Sequence, residues 1–149
     1  MQKLKIQIKD SNIHPSCKII EPVNIYGATI GYNSFIGPFT EIQENVKIGS
    51  NVRVQSHSFL CSGVSIGDNT FIGHGVMFIN DLFKNGGPAR GDKTKYRETK
   101  IGSNVSIGSN STILPISICD GTVIGAGSVV TKNITIAGTY AGNPAKKIK

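Results

Sequence analysis

Apolar residues recur at every sixth position along much of this chain. Between residues 30 and 78 these positions are aliphatic or aromatic without exception: Ile30, Ile36, Ile42, Ile48, Val54, Leu60, Ile66, Ile72 and Phe78. The pattern resumes at Ile101, Ile107 and Ile113, then Ile118, Ile124, Val130 and Ile136. A helix repeats every 3.6 residues and a simple strand every two, so a period of six fits neither. It predicts an all-β parallel β-helix, in which each unit forms a short strand and a corner.

The repeat also predicts which side chains share a ladder. Three units close one triangular coil of about eighteen residues. Ile30, Ile48 and Ile66 should therefore stack, with successive coils roughly 4.8 Å apart. Four residues after each of the first eight repeat positions, Ile30 to Ile72, comes a small or β-branched residue that should also point inward. Glycine, asparagine and aspartate fill the corners, where left-handed backbone angles cost them little.

Three segments depart from the period. Residues 82–100 abandon it and predict a loop that protrudes from the β-helix. The stretch ILPISI spaces Ile113 and Ile118 by five residues, which predicts one tightened corner. Before Ile30 the rhythm is only approximate, as suits a capping coil whose outer end is polar. We therefore expect one structural unit over residues 1–149, with the loop inserted in it.

Composition narrows the function classes. The chain lacks a long apolar segment, which indicates a cytoplasmic protein with no membrane partner. Its three cysteines are far apart and form no CxxC pair, which favours free thiols over disulfides or a metal site. The formal charge of +7 is concentrated in the loop and at the C-terminus. Two local basic segments, without interleaved aromatics, favour phosphates on a small ligand over nucleic acid.

The repeat resembles that of the hexapeptide-repeat acyltransferases over about residues 13 to 145. The C-terminal Gly142, Asn143 and Pro144 are similar to the GNPAK end of these enzymes. The resemblance implies a left-handed β-helix with a short C-terminal tail or helix. It also implies a homotrimer in which the loop of one subunit crosses to its neighbour, and a tunnel for acetyl-CoA between subunits.

Polar residues lie close to the break. Position 57 stacks under position 75, so His57 and His74 should be neighbours on one corner of the β-helix, and Asn80 with Asp81 should form the next corner. A surface histidine without function and a solvated loop insertion are the alternatives for these features. Together, the histidines, the Asn-Asp step and the basic loop make a candidate catalytic cluster.

Within the family, the stretch VQSHSFLCSGVSIG and FIGHGVMFINDLF is similar to enzymes that N-acetylate amino sugars carried on a nucleoside diphosphate. In related O-acetyltransferases a catalytic histidine follows this point, whereas here Leu82 and Phe83 follow. The resemblance implies an amine acceptor, favoured as a 3-amino sugar on dTDP or UDP for surface polysaccharide biosynthesis. An amine needs orientation, loss of a proton and oxyanion stabilisation, but no strong activation.

The resemblance assigns roles to individual residues. The catalytic candidates are His57 or Asp81 as proton acceptor and Asn80 as orienting partner. The substrate-binding candidates are His74, with Arg90 and Lys93 for the diphosphate. The acetyl-CoA candidates are Gly108, Ala126, Gly127, Lys132, Asn143, Pro144 and Lys146. Glycines required by the corners and a solvated lysine tail remain the alternatives for this last set.

Two other functions stay open on the same fold. The first is O-acetylation of a sugar or small alcohol. The second is a metal protein like the gamma-type carbonic anhydrases, which hold zinc with three histidines. His14 lies coils away from His57 and His74, so the sequence predicts no metal site.

Overall fold

The computed structural model describes all 149 residues and contains short strands and a single turn of 3-10 helix, Lys93–Lys95. The strands are β1 Ile8–Lys9, β2 Asn12–Ile13, β3 Lys18–Ile19, β4 Asn24–Tyr26, β5 Thr29–Ile30, β6 Phe35–Ile36, β7 Glu41–Ile42, β8 Lys47–Ile48, β9 Arg53–Val54, β10 Phe59–Leu60, β11 Val64–Ile66, β12 Phe71–Ile72, β13 Met77–Phe78, β14 Thr99–Ile101, β15 Ser106–Ile107, β16 Thr112–Ile113, β17 Ser117–Ile118, β18 Val123–Ile124, β19 Val129–Val130, β20 Thr139–Ala141 and β21 Lys146–Lys147.

The strands form three parallel sheets, which are the three faces of a left-handed β-helix. Face A contains β1, β4, β7, β10, β13, β16 and β19, and face B contains β2, β5, β8, β11, β14 and β17. Face C contains β3, β6, β9, β12, β15, β18 and β20, with β21 added antiparallel at its end. Ile48 pairs with Ile30 below and Ile66 above, which confirms the predicted ladder. We call the turns between faces the AB, BC and CA corners.

Alternation within each two-residue strand builds the core. In the two-residue strands from β5 to β19 the second residue points inward and is buried, as in Ile36, Ile72 and Ile107, whereas the first points outward. Most small polar residues that also face inward form hydrogen bonds to backbone carbonyls of their own or the neighbouring coil. The Ser58 hydroxyl, for example, donates to the Gly73 carbonyl at 2.9 Å. Such pairing removes the cost of burying a hydroxyl in a narrow apolar core.

The irregular segments lie where the sequence predicts them, with two differences. The loop leaves after β13 and returns at β14, so it is inserted in an AB corner. Ile113 and Ile118 are both buried, and the corner between them is the shortened one. The prediction for Ile136 is wrong: Ile136 is exposed, and Ile134 is buried and bridges to Ile118 instead. The expected short C-terminal tail contains an antiparallel strand, because β21 folds back on β20.

The outward side chains differ between faces. Face B carries polar residues along its length: Asn12, Thr29, Lys47, Ser65, Lys100 and Ser117. Exposed or half-buried apolar residues lie instead on the two faces that meet at the CA corner: Phe59 and Met77 on face A, Phe71 and Val123 on face C. The chain contains no helix with the length and apolar character that a bilayer crossing requires.

Candidate active site

The structure brings His57 and His74 together on adjacent coils of the CA corner. His57 has a left-handed backbone with φ of 63° and its ring lies 5.0 Å from that of Phe39, centroid to centroid. The Gly75 amide donates to the Ser56 carbonyl at 3.0 Å, which fixes the two coils in register. Both imidazoles are exposed, so each is accessible to a ligand along this corner. Their catalytic and binding roles stay predictions.

Ser56 orients the second histidine. The Ser56 hydroxyl lies 3.0 Å from Nδ1 of His74, within hydrogen-bonding distance. This contact restrains the plane of the ring, and the serine hydroxyl can either donate to Nδ1 or accept from it. Nε2 of His74 is left free to contact a ligand. Ser56 was not predicted as a site residue. The spacing of eighteen residues between Ser56 and His74 nevertheless predicts that they stack on adjacent coils.

Asn80 begins the loop and is held at the AB corner. Its side-chain Nδ2 donates to the Ser62 carbonyl at 3.0 Å, and its own carbonyl accepts from the Arg97 amide at 2.9 Å. The first bond attaches the start of the loop to the preceding coil, and the second joins the two ends of the loop. The side-chain Oδ1 has no hydrogen bond within the chain, so it is available to orient a substrate hydrogen.

Asp81 organises the loop through both carboxylate oxygens. Oδ1 accepts the Phe83 amide at 3.0 Å, and Oδ2 accepts the Ala89 amide at 2.7 Å. Ala89 is 5 % exposed although it lies within the loop, so its amide has little access to water. The sequence predicted a catalytic role for Asp81 and missed this structural one. Each oxygen keeps a second lone pair, so the carboxylate can still accept from a ligand.

One ion pair fixes the loop against the β-helix. Nζ of Lys93 lies 2.6 Å from Oε1 of Glu44, and hydrogen bonding to this carboxylate raises the pKa of Lys93. The predicted diphosphate-binding charge at this position is therefore already partnered within the chain. Arg90 is exposed and has no carboxylate partner. Glu44 was not predicted, because the repeat gives no signal of where an inserted loop will fold back.

An apolar groove lies between the start of the loop and face A. It has a volume of about 420 Å³. Its apolar lining comes from the β-helix and the loop together: Phe59, Phe78, Ile79, Leu82, Phe83 and Leu114. Asn80 and Asp81 are its polar members. Leu82 and Phe83 thus form its wall, which leaves no imidazole at this end of the loop.

The acetyl-CoA candidates fall mostly on the CA corner above the histidines. Gly108, Ala126 and Gly127 follow β15 and β18, and the turn with Asn143 and Pro144 closes the corner. The Gly142 amide donates to the Ser128 hydroxyl at 3.2 Å and secures that turn. Lys146 lies on β21 at the adjoining end of face C. This corner therefore offers a continuous line from His57 to the C-terminus.

Two of these candidates differ in what their backbone requires. A Cβ on Gly108 would overlap the backbone of Ala126 on the next coil, so the close approach of the coils itself requires glycine there. Gly127 has a φ of 68° and open space around its Cα, so a ligand can approach it. Lys132 lies on an AB corner after β19, and the structure does not bring it to the other candidates.

Two further predictions concern histidine and cysteine. His14 lies on a BC corner, where its ring packs edge-on against Tyr32 and Nδ1 is 2.8 Å from the Ser16 hydroxyl. No group of three His, Cys, Asp or Glu side chains is placed to hold a metal ion. Burial raises the pKa of Cys61 to about 12, so its thiol is protonated at neutral pH and is a poor nucleophile.

Hexapeptide-repeat families match this chain over most of the β-helix. The hexapeptide repeat of succinyl-transferase matches residues 63–77 and 98–132, and the bacterial transferase hexapeptide matches residues 27–62. Together they cover more than half of the chain and stop on either side of the loop. The chain belongs to the hexapeptide-repeat transferases. The family prediction made from the sequence is confirmed.

Several members of known identity are similar to this hexapeptide-repeat chain. One is AntD, an N-acyltransferase from Bacillus cereus, a mutant of which was solved in complex with dTDP-4-amino-4,6-dideoxyglucose and Coenzyme A. Its sequence is 26% identical to this chain and its structure superposes with a TM-score of 0.73. The match covers 95% of this chain and 82% of AntD. WeeI from Acinetobacter baumannii is 25% identical with a TM-score of 0.63, over 89% of this chain and 55% of WeeI.

Curated relatives are longer. The bifunctional protein GlmU of Streptococcus uberis is 34% identical over 146 residues, which are 96% of this chain and 31% of GlmU. The GlmU of Wigglesworthia glossinidia brevipalpis is 38% identical over 125 residues, which are 78% of this chain and 27% of GlmU. The chain thus spans about a third or less of the curated relatives it matches.

Proposed function

We propose that this chain is an acetyl-CoA-dependent N-acetyltransferase that acetylates the amino group of a nucleotide-linked amino-deoxy sugar. The observation that carries the proposal is the groove at the loop, where Asn80 and Asp81 are the only polar lining residues and Leu82 and Phe83 form the wall. Such a groove can orient an amine, and Leu82 and Phe83 stand where the related O-acetyltransferases carry their catalytic histidine. Similarity to AntD, which was solved with an amino sugar nucleotide and Coenzyme A, supports the same substrate classes.

The reaction needs few groups from the protein. The neutral amine nitrogen attacks the thioester carbon, the N–C bond forms, the C–S bond breaks, and the amine proton passes to the departing thiolate. Acetyl-CoA supplies the activated acyl group. Oδ1 of Asn80 and the spare lone pairs of Asp81 orient the amine through its hydrogens. His57 accepts the amine proton and returns it to the thiolate.

Two copies of the chain are needed to complete this site. No hydrogen bond joins His57 or His74 to Asn80 or Asp81, because the pairs lie on opposite edges of face A. The faces that meet at the CA corner expose apolar side chains, whereas face B is polar. Met77 is 41% exposed and Phe71 is 39% exposed. Packing of the CA corners around a threefold axis would cover these residues and bring the histidines of one copy to the loop of the next.

Activity on matched acceptors tests the proposal. Release of free thiol from acetyl-CoA is followed with dTDP-linked 3-amino and 4-amino sugars and with the corresponding 3- and 4-hydroxy sugars. We expect acetylation of at least one amino sugar, identified by mass, and none of the hydroxy sugars. Transfer to hydroxy sugars alone would replace the N-acetyl proposal with the O-acetyl alternative. Light scattering should give three chains per particle, and a monomer with full activity would remove the two-copy site.

A pair of histidine variants tests the role of the CA corner. His57→Asn should lower kcat by about 10²-fold or more, the usual contribution of a positioned base. His14→Asn is the matched control, since His14 is also an exposed corner histidine but lies on a BC corner. Equal activities of the two variants would exclude His57 as the proton acceptor.

A further inference from the structure

A second groove lies beside the loop, and its lining is mostly polar and basic. Its volume is about 500 Å³, within the range of small-ligand sites. The lining comes from both ends of the loop and from the next coil: Lys84, Asn85, Thr94, Lys95, Tyr96, Arg97, Glu98 and Pro115. We call it the basic groove. Only one of its lining residues is apolar.

The charge in the basic groove is unpaired. Lys84, Lys95 and Arg97 contribute three positive charges and Glu98 contributes one negative charge. The one ion pair of the chain joins Lys93 to a different carboxylate. The groove therefore carries a net charge of about +2 at neutral pH. This charge complements the two negative charges of a diphosphate diester, and an arginine binds phosphate oxygens in a bidentate manner.

Backbone hydrogen bonds fix the course of the chain next to Lys84 and at Arg97. Phe83 has a left-handed backbone, and its carbonyl accepts the Gly86 amide at 2.8 Å, which turns the chain at Lys84. At the other end of the loop, the Arg97 amide donates to the Asn80 carbonyl at 2.9 Å. Arg97 is thus attached directly to the residue that is proposed to orient the amine.

The shortened corner supplies the far wall. Pro115 belongs to the five-residue step between Ile113 and Ile118, and it lines the basic groove, whereas its neighbour Leu114 lines the apolar groove. On the loop, likewise, Phe83 lines the apolar groove and its neighbour Lys84 lines the basic groove. The two grooves are therefore adjacent, and one extended ligand can place an apolar part in the first and an anionic part in the second.

We infer that the basic groove binds the diphosphate of the nucleotide-linked acceptor through Lys84, Lys95 and Arg97. The inference rests on the proposed function for the identity of the acceptor. The residues of this groove replace Arg90 and Lys93 as the principal diphosphate ligands, since Lys93 is held by Glu44 and Arg90 does not line the basic groove. The other diphosphate of the reaction is that of acetyl-CoA. Most of its candidate residues lie on the CA corner, at the opposite edge of face A from Asn80.

Calorimetric binding of dTDP and of CoA, which requires no turnover, tests the inference. Arg97→Gln and the double variant Lys84→Gln with Lys95→Gln should each weaken dTDP binding about tenfold or more. CoA binding should not change. Lys100→Gln is the matched control, because Lys100 is an exposed cation on the same return segment but points outward from face B. It should bind dTDP as the unmodified chain does. Circular dichroism checks that every variant is folded.

The outcomes separate this inference from the proposed function. If dTDP binds the unmodified chain and folded Arg97→Gln equally well, the basic groove is not the diphosphate site. Loss of CoA binding instead of dTDP binding would overturn the assignment to the acceptor. Failure of the unmodified chain to bind dTDP, together with acetylation of a free amino sugar, would overturn the inference and keep the acyltransferase. Tight, Arg97-dependent dTDP binding without any acyl transfer would support the groove and contradict the proposed reaction.

Discussion

Replacing Asp81 with asparagine should loosen the loop while the β-helix stays folded. The carboxylate accepts the Phe83 and Ala89 amides, and both partners belong to the loop. Asparagine keeps one acceptor oxygen and replaces the other with a donor. One of the two amides would then face an NH2 group. The buried Ala89 amide is the one with least access to water as a substitute.

The expected magnitude follows from one lost bond. A hydrogen bond to a charged acceptor contributes about 1.5 to 3 kcal/mol. Because 1.4 kcal/mol is about a tenfold change in an equilibrium constant, local opening of the loop should become roughly ten- to a hundredfold more frequent. The free energy of unfolding of the β-helix should change little, since neither amide belongs to a strand.

Amide hydrogen exchange at Ala89 measures this opening directly. Exchange at Ala89 should accelerate by the same factor in Asp81→Asn, whereas exchange in the strands stays constant. Asp92→Asn is the matched control, because Asp92 lies in the same loop but accepts only from Thr94 two residues away. In Asp92→Asn the Ala89 amide should exchange at the same rate as in the unmodified chain.

An equal exchange rate of the Ala89 amide in Asp81→Asn and in the unmodified chain would show that the carboxylate does not hold the loop closed. The loop would then be held by Lys93 and Asn80 alone. A fall in global stability of several kcal/mol would contradict it in another way, because it would show that the loop and the β-helix unfold together.

Three further predictions concern the β-helix. The Thr99 hydroxyl is buried without a hydrogen-bond partner, whereas the Thr70 hydroxyl donates to a carbonyl of the next coil at 2.9 Å. Thr99→Val should therefore raise the free energy of unfolding by about 1 kcal/mol, and Thr70→Val should lower it. Denaturant unfolding measures both changes, and a change of the same sign in the two variants would refute this. Gly108→Ala should destabilise by about 1 to 3 kcal/mol through overlap with the next coil, whereas Gly87→Ala, with open space, should be neutral. Burial raises the pKa of Cys61 from 9.0 to about 12, so the thiol of the unfolded chain ionises at a lower pH than that of the folded chain. The free energy of unfolding should therefore fall as pH rises from about 9 toward 12. Cys61→Ala should not show this part of the decrease.

The β-helix was predictable because its information is local and repeated. Each coil uses the same inward aliphatic, small inward residue and left-handed corner, so one spacing rule places Ile30, Ile48 and Ile66 in one ladder. The rule fails where the period changes: it selects Ile136, but the chain shortens its step after Val130 and buries Ile134. A hydrophobic pattern alone does not distinguish two isoleucines that lie two residues apart at the end of the repeat.

The site is predictable only in part for the same reason. The spacing puts His57 beside His74, since corner residues repeat with the coils. It gives no information about the loop, whose contacts depend on where an aperiodic segment folds. The partnership of Lys93 with Glu44, the bonds of Asp81 to its own loop and the grouping of Lys84, Lys95 and Arg97 all depend on that folding.

The sequence by itself therefore determined the β-helix, the position of its interruption and the family, because a six-residue period is a one-dimensional signal of a repeated coil. Only the tertiary structure decided which loop cations are free and which are paired, and that the loop separates an apolar groove from a basic one. These properties arise from side chains far apart in the sequence, whose distances are set by the return of the loop onto the corner.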